Sequence, residues 1–170
     1  MVVSADRLRR GEAILDTSVF WVGAIGTSIH PRAGSRGLSS RLLLALKHRA
    51  LDLGYRGLVA PVRPVFKARM PGVSVEEYAR VRLPDGSHFD PWVRTHERLG
   101  ARIVATCPVS ASFRGSREQW EEWSGLKLPD RGEILLPEAI APLRLEGGVG
   151  QLDEPSLWLE HRVEKNRPGI

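Results

Sequence analysis

The stretch from Ile29 to Ser40 concentrates the residue types best suited to chemistry. It contains Arg32-Ala33-Gly34-Ser35-Arg36-Gly37, with Ser39 and Ser40 close behind. Arginine offers a planar fork of donors that fits phosphate or carboxylate oxygens. Serine hydroxyls add donors, and Gly37 lets the backbone approach a phosphate closely. A helix opening at Leu38 would aim its unpaired N–H groups and its positive dipole end at the same point, which makes an anion site. The loop is neither a Walker sequence nor a dinucleotide fingerprint, because it lacks Gly-Lys-Ser/Thr and G-x-G-x-x-G spacing. Farther along, His88, Asp90 and His96 form a loose set of metal-ligand types. Short-range sets of this kind arise by chance, and no metal is assigned. Cys107 falls in an apolar run and reads as a buried small side chain. Ser–His–Asp hydrolysis is excluded by the absence of G-x-S-x-G.

The elements that must position these residues are legible in the pattern. Ser18–Ile29 is β-branched, aromatic and small, which predicts a buried strand ended by His30-Pro31. Leu42, Leu43, Leu46, Ala50 and Leu53 recur at helical spacing, predicting a helix over 38–53 stopped by Gly54. Tyr55–Val62 predicts a second strand, completing a βαβ unit. Val65–Asp90 reads as an inserted loop with one short helix, capped by Ser74 with Glu77 three residues on. Pro91 opens a helix closed by Gly100. Ala101–Phe113 reads as a strand interrupted or bulged at Pro108, and 116–123 as a helix with a Ser cap. Short strands at 133–136 and 142–145 and a loose charged tail after His161 complete one α+β domain over 1–170, its core spanning about 16–161.

Composition removes several classes. The chain has 170 residues, 42% of them hydrophobic, which is enough for one globular core. No apolar run approaches a membrane span, no signal-peptide pattern opens the chain, and the single cysteine excludes an internal disulfide. A cytoplasmic protein is expected. The formal net charge is +5, and only four of the 25 basic residues are lysine. The arginines are dispersed rather than gathered into an arm, which argues against nucleic acid and leaves an anionic cofactor or an acidic protein as partner.

The run TSIHPRAGSRGLSSRLL, 27–43, resembles the acyl-CoA-binding segment of the GNAT N-acetyltransferase superfamily. In that segment a strand ends near a proline, a loop of pattern R/Q-x-x-G-x-G/A cradles the CoA pyrophosphate, and a helix begins with two leucines. Gly37 stands at the first glycine position, and Leu42-Leu43 match the helix. Gly34 replaces the usual Arg or Gln, and Ser39 the usual Gly or Ala; Arg32 and Arg36 can supply the charge. FDPWVRTHERLGARIV is similar to the helix–strand pair that follows the acyl-CoA site. The pieces PVRPVFK, WEEWSGL and EPSLWLEH are similar to an actinobacterial GNAT-like subgroup.

The resemblance implies an α+β, GNAT-like acyl-CoA N-acyltransferase fold with a central twisted mixed sheet. Fewer residues precede the loop than in most members, so the N-terminal strands and helices are expected to be largely missing. A second copy completing the sheet, or an acceptor site rebuilt by Val65–Asp90, would answer that shortfall. The implied activity is transfer of an acyl group from acetyl-CoA or another acyl-CoA to a small-molecule amine, in specialised metabolism. Ile29, Arg32, Gly34, Ser35, Arg36, Gly37, Leu38, Ser39 and Ser40 would hold the acyl-CoA. The usual strand Glu and helix Tyr are absent, which leaves His88, Asp90, His96 and Glu97 around the 91–100 helix, and Tyr78, for acid–base work, His96 first. The alternatives are the same fold with an acyl carrier protein as donor, and a non-catalytic binding or regulatory protein.

Overall fold

A computed structural model describes residues 21–24 and 37–163. The chain divides into two compact units, each assembled from separated stretches.

In the first unit, strand β1 (Trp21–Gly23) runs parallel to β2 (Gly57–Val62), with Trp21 opposite Gly57 and Gly23 opposite Val59. The connection between them ends in helix α1 (Leu38–Asp52). Leu43 and Ala50, seven residues apart and so on one helical face, are the side chains that α1 buries. The helix stops as expected: Leu53 N–H bonds to Arg49 C=O, and Gly54 takes a left-handed φ of +81°. β2 pairs antiparallel with the C-terminal half of β6 (Val149–Arg162), from Gly57 opposite Arg162 to Val62 opposite Leu157.

Strand alternation gives this sheet two different faces. Leu58, Ala60, Val62, Leu157, Leu159 and His161 are buried on one. Helix α3 (Pro91–Arg98), with buried Val93 and His96, covers that face through His161. Val59, Pro61, Trp158 and Glu160 lie on the other and are only half-buried.

The second unit holds the expected insertion and the distal strands. Helix α2 (Val75–Tyr78) carries the capping box read from the sequence: Ser74 Oγ accepts from Glu77 N–H, and Glu77 accepts from Ser74 N–H. A short 3-10 turn at Lys67–Arg69 precedes it. Helix α4 (Arg117–Ser124) is capped likewise by Ser116, with Gln119 closing the box. β4 (Gly132–Ile134), β5 (Leu143–Glu146) and the N-terminal half of β6 pair antiparallel in turn. Their core gathers Trp120, Leu128, Leu136, Leu143, Leu145 and Leu152, and Trp120 Nε1 donates to Gly150 C=O at 2.9 Å.

Two sequence expectations need correction. Pro108 does not interrupt its strand; β3 is continuous from Ala101 to Ser116 and pairs with β6. A missing N–H is tolerated wherever that side of the strand needs no ladder bond. The second correction is β6 itself, a fourteen-residue strand over 149–162 where no strand was expected; the tail beyond residue 163 lies outside the described residues.

Candidate acyl-transfer site

Helix α1 begins at Gly37, which has φ +66° and ψ +14° and provides no side-chain cap. The first helical bond is Arg41 N–H to Gly37 C=O at 3.1 Å, so the N–H groups of Leu38, Ser39 and Ser40 precede the ladder. A Cβ on Gly37 would meet no described atom within 4 Å. The first turn carries no acidic residue. Among the described residues nothing caps this positively polarised helix start, and such a start can accept an anionic group. Ile29, Arg32, Gly34, Ser35 and Arg36 lie outside the described residues.

The helix start and the parallel strand pair belong to one βαβ unit. The pairing of β1 with β2 extends to Ala24 N–H on Val59 C=O at 2.8 Å. The strand expected over 18–29 is described only at Trp21–Ala24.

The five residues expected to handle protons separate into two groups, His96 and Glu97 in one and Tyr78, His88 and Asp90 in the other. His96 is buried on α3, its Nδ1 2.9 Å from Nε2 of His161 on β6. Burial first, and each imidazole's surroundings second, hold both groups down to a pKa of about 4; the neighbour is His161 for His96 and the Lys47 ammonium for His161. Lys47, on α1, donates to Leu99 C=O at 2.6 Å, tying α1 to the end of α3. Glu97 is half-buried on α3.

Tyr78 and His88 belong to the second unit and meet at Asp90. The Tyr78 hydroxyl donates to Asp90 Oδ2 at 3.0 Å, and Asp90 N–H donates to His88 Nδ1 at 2.9 Å. Phe66 N–H also donates to Asp90 Oδ2, and Trp92 N–H to Oδ1. Asp90 therefore caps the first turn of α3 while closing the 63–90 segment around a fully buried carboxylate. The rings of Tyr78 and His88 stand edge to face, 5.8 Å apart.

Sequence reasoning missed His161, Asp90 as a hub, and a charged cluster of Glu160 with Arg102 and Arg162. The signal for His161 and Glu160 was the alternation Leu157, Leu159, His161 against Trp158, Glu160, Arg162. Among the described residues no group of three or more His, Cys, Asp or Glu is arranged to hold a metal ion. No described helix is long and apolar enough to cross a membrane.

A mixed sheet with a parallel βαβ unit opening onto a helix start is the architecture of a GNAT-like protein. The chain is similar to the loading GNATL domain of CurA from Lyngbya majuscula, with a TM-score of 0.55 at 15% identity, over 94% of this chain and 62% of that one. It is 26% identical to the arginine N-acetyltransferase avaD of Aspergillus versicolor, over 84% of this chain and 56% of that protein. No protein-family model matches the chain. The structural likeness shows a GNAT-like fold, and the sequence likeness is to a protein named as an N-acetyltransferase. It spans little more than half the length of the curated relative it matches.

Proposed function

We propose that the chain transfers an acyl group from an acyl-CoA to an amine acceptor in the cytoplasm, as part of specialised metabolism. The observation that carries this reading is the start of α1, where left-handed Gly37 opens an uncapped helix directly after the connection from β1. In the proposal, Ile29, Arg32, Gly34, Ser35 and Arg36 join Gly37–Ser40 around the pyrophosphate. The name of the fungal relative makes an acetyl donor and arginine the first substrates to try.

The amine nitrogen attacks the thioester carbonyl, a C–N bond forms, and the C–S bond breaks to release the thiol of CoA. Alignment of the two reactants supplies most of the acceleration. Backbone N–H groups facing the thioester oxygen supply the rest.

A conjugate acid near pKa 4 makes His96 a weak base at neutral pH. We therefore assign His96 and His161 to fixing α3 on β6, and Tyr78 and His88 to holding the 63–90 segment on Asp90. Glu97 stays the candidate on α3 for accepting the ammonium proton. A hundredfold fall in turnover for His96→Ala at unchanged melting temperature would return His96 to a direct catalytic role.

The second reading keeps the fold and takes an acyl carrier protein as donor. It is favoured by the outer side of α1, where Arg41 and Arg49 stand among exposed Leu42, Leu44 and Leu53. Such a surface suits an acidic carrier. Calorimetry with acetyl-CoA, longer acyl-CoAs and acyl carrier proteins, followed by thiol release with an amine library, tests both. Failure to bind any pantetheine thioester overturns the proposal, and binding without turnover favours a non-catalytic protein.

A further inference from the structure

The distal half of β3 meets solvent on both of its faces. Pro108, Val109 and Ser110 are exposed, as are Ser112, Phe113 and Arg114, with half-buried Ala111 between the two triplets. Val109 is 55% exposed and Phe113 48%. Among the described strands β3 pairs with β6 alone, and Ser112 Oγ fastens it there by donating to Asp153 Oδ1 at 2.6 Å. A proline is tolerated in a strand where its missing N–H faces away from the ladder. The backbone groups of residue 108, and by alternation those of 110, 112 and 114, therefore face the edge away from β6.

The sequence along that edge reads nearly the same in both directions: Val109-Ser110-Ala111-Ser112-Phe113. An antiparallel strand of the same sequence, related by a two-fold axis at Ala111, matches it row for row. Ser110 of each copy then meets Ser112 of the other, and the two exchange backbone bonds. Arg114 N–H meets Pro108 C=O, although Pro108 has no N–H to return. Val109 faces Phe113 in a row without backbone bonds, where side chains come closest, a β-branched residue against an aromatic one. Ala111 faces itself, and a methyl group leaves room for its own copy. On the face that carries Phe113, the exposed Trp123 of α4 lies over Gly115, where a Cβ would come within 3.2 Å of the indole. Pairing thus joins two apolar stripes into one. The charges fit the same register. Arg114 has no hydrogen-bond or ion partner among the described residues. Among those residues Glu76 of α2 accepts only from the Thr106 hydroxyl, at 3.2 Å. Two-fold pairing sets Arg114 of one copy opposite Pro108 of the other, two residues and about 7 Å from Thr106. An arginine side chain spans that distance, so a lone cation arrives beside a lone carboxylate.

We infer that residues 108–114 of β3 form an interface for a second copy of this chain, two-fold symmetric about Ala111. The inference stands apart from the acyl-transfer reading. A partner of other sequence would need its own match for Val109, Phe113 and Arg114, whereas a second copy brings Phe113, Val109 and Glu76 with it. The paired stretch is short, and a standard interface hides about 800 Å² on each partner. Association is therefore expected in the micromolar range rather than the nanomolar.

Sedimentation velocity of the full chain over a concentration series reads the association. The wild-type chain is expected to pass from monomer to dimer. Val109→Glu and Phe113→Lys should each weaken dimerisation tenfold or more, because each sets a charge against an apolar side chain. The two changes together put opposite charges in facing positions and should regain most of the loss, a recovery peculiar to this register. Ala111→Cys, made with Cys107→Ser, should cross-link to its own copy under mild oxidation. Facing residues in such a row have Cα atoms about 4.5 Å apart, which is within disulfide reach. Unchanged melting temperatures report that the charged variants fold, and the cross-link gives a readout that does not depend on them. The inference falls if the chain stays monomeric at every concentration, if the dimer tolerates both single charge changes, or if no cross-link forms.

Discussion

His96 Nδ1 and His161 Nε2 stand 2.9 Å apart with both rings buried, so two neutral imidazoles share one proton between helix α3 and strand β6. Each has its pKa lowered to about 4, while an unfolded chain would titrate its histidines near the ordinary 6.5. Above pH 6.5 both states are neutral and the pair contributes its full packing. As pH falls from 6.5 toward 4, the unfolded chain takes up protons that the folded chain refuses, and stability is lost. Each histidine can contribute up to about 1.4 kcal/mol per pH unit in that window, so the pair's slope is expected at about 1–3 kcal/mol per pH unit. Thermal melts between pH 7 and pH 4.5 should show it, and His96→Asn with His161→Asn should flatten it. An equal slope in that double variant would assign acid sensitivity to other groups.

Gly37→Val should abolish acyl-CoA binding. The left-handed φ of +66° costs a non-glycine residue roughly 1–2 kcal/mol, and a β-branched one most. Nothing described lies within 4 Å of the added Cβ, so the penalty is conformational rather than a clash. Gly37→Ala should therefore fold, with affinity for acetyl-CoA reduced tenfold or more and a melting temperature lowered by a few degrees. Calorimetry showing wild-type affinity in both variants would remove Gly37 from the cradle.

Gly57→Ala tests the flat seat of Trp21 on β2. The new methyl would meet the indole ring and His161 C=O, and neither can move without breaking the β2–β6 ladder or the ring's packing. Overpacking of this kind costs about 1–3 kcal/mol. A denaturant midpoint within error of wild type would show that the strand yields freely at this row.

Asp90→Ala should be the most damaging single change outside the apolar core. It removes the cap of α3 and leaves the Phe66 and Trp92 N–H groups and the Tyr78 hydroxyl without their acceptor. A lost cap costs about 1 kcal/mol, and each buried donor left unsatisfied roughly 1–3 kcal/mol. Urea titration should place the variant several kcal/mol below wild type or find it unfolded. Asp90→Asn, which keeps an oxygen for one side, should fall between the two.

Much of the fold was legible where local chemistry decided the outcome. The Ser74 and Ser116 caps, the glycines closing α1 and α3, and the apolar stripe of α1 are short-range signals, and each element stands within about two residues of its expected bounds. β6 was missed because Asp153-Glu154-Pro155 resembles a loop. Only the pairing with β2 and β5, set by residues far away in the chain, makes that sequence extend. The same long-range origin hid the cluster of Glu160 with Arg102 and Arg162. Glu160 and Arg102 are 58 residues apart and meet only because β3 and β6 pair. Tyr78 and His88 looked reactive in sequence because nothing local reveals that Asp90 engages both.

Pro108 in the middle of β3 has a further consequence for the protein in a crowded solution. β3 is sixteen residues long and carries exposed Val109 and Phe113, the makings of a strand that recruits its own kind. A proline has no N–H to offer, so at position 108 an incoming strand would find one backbone donor fewer than the length of β3 suggests.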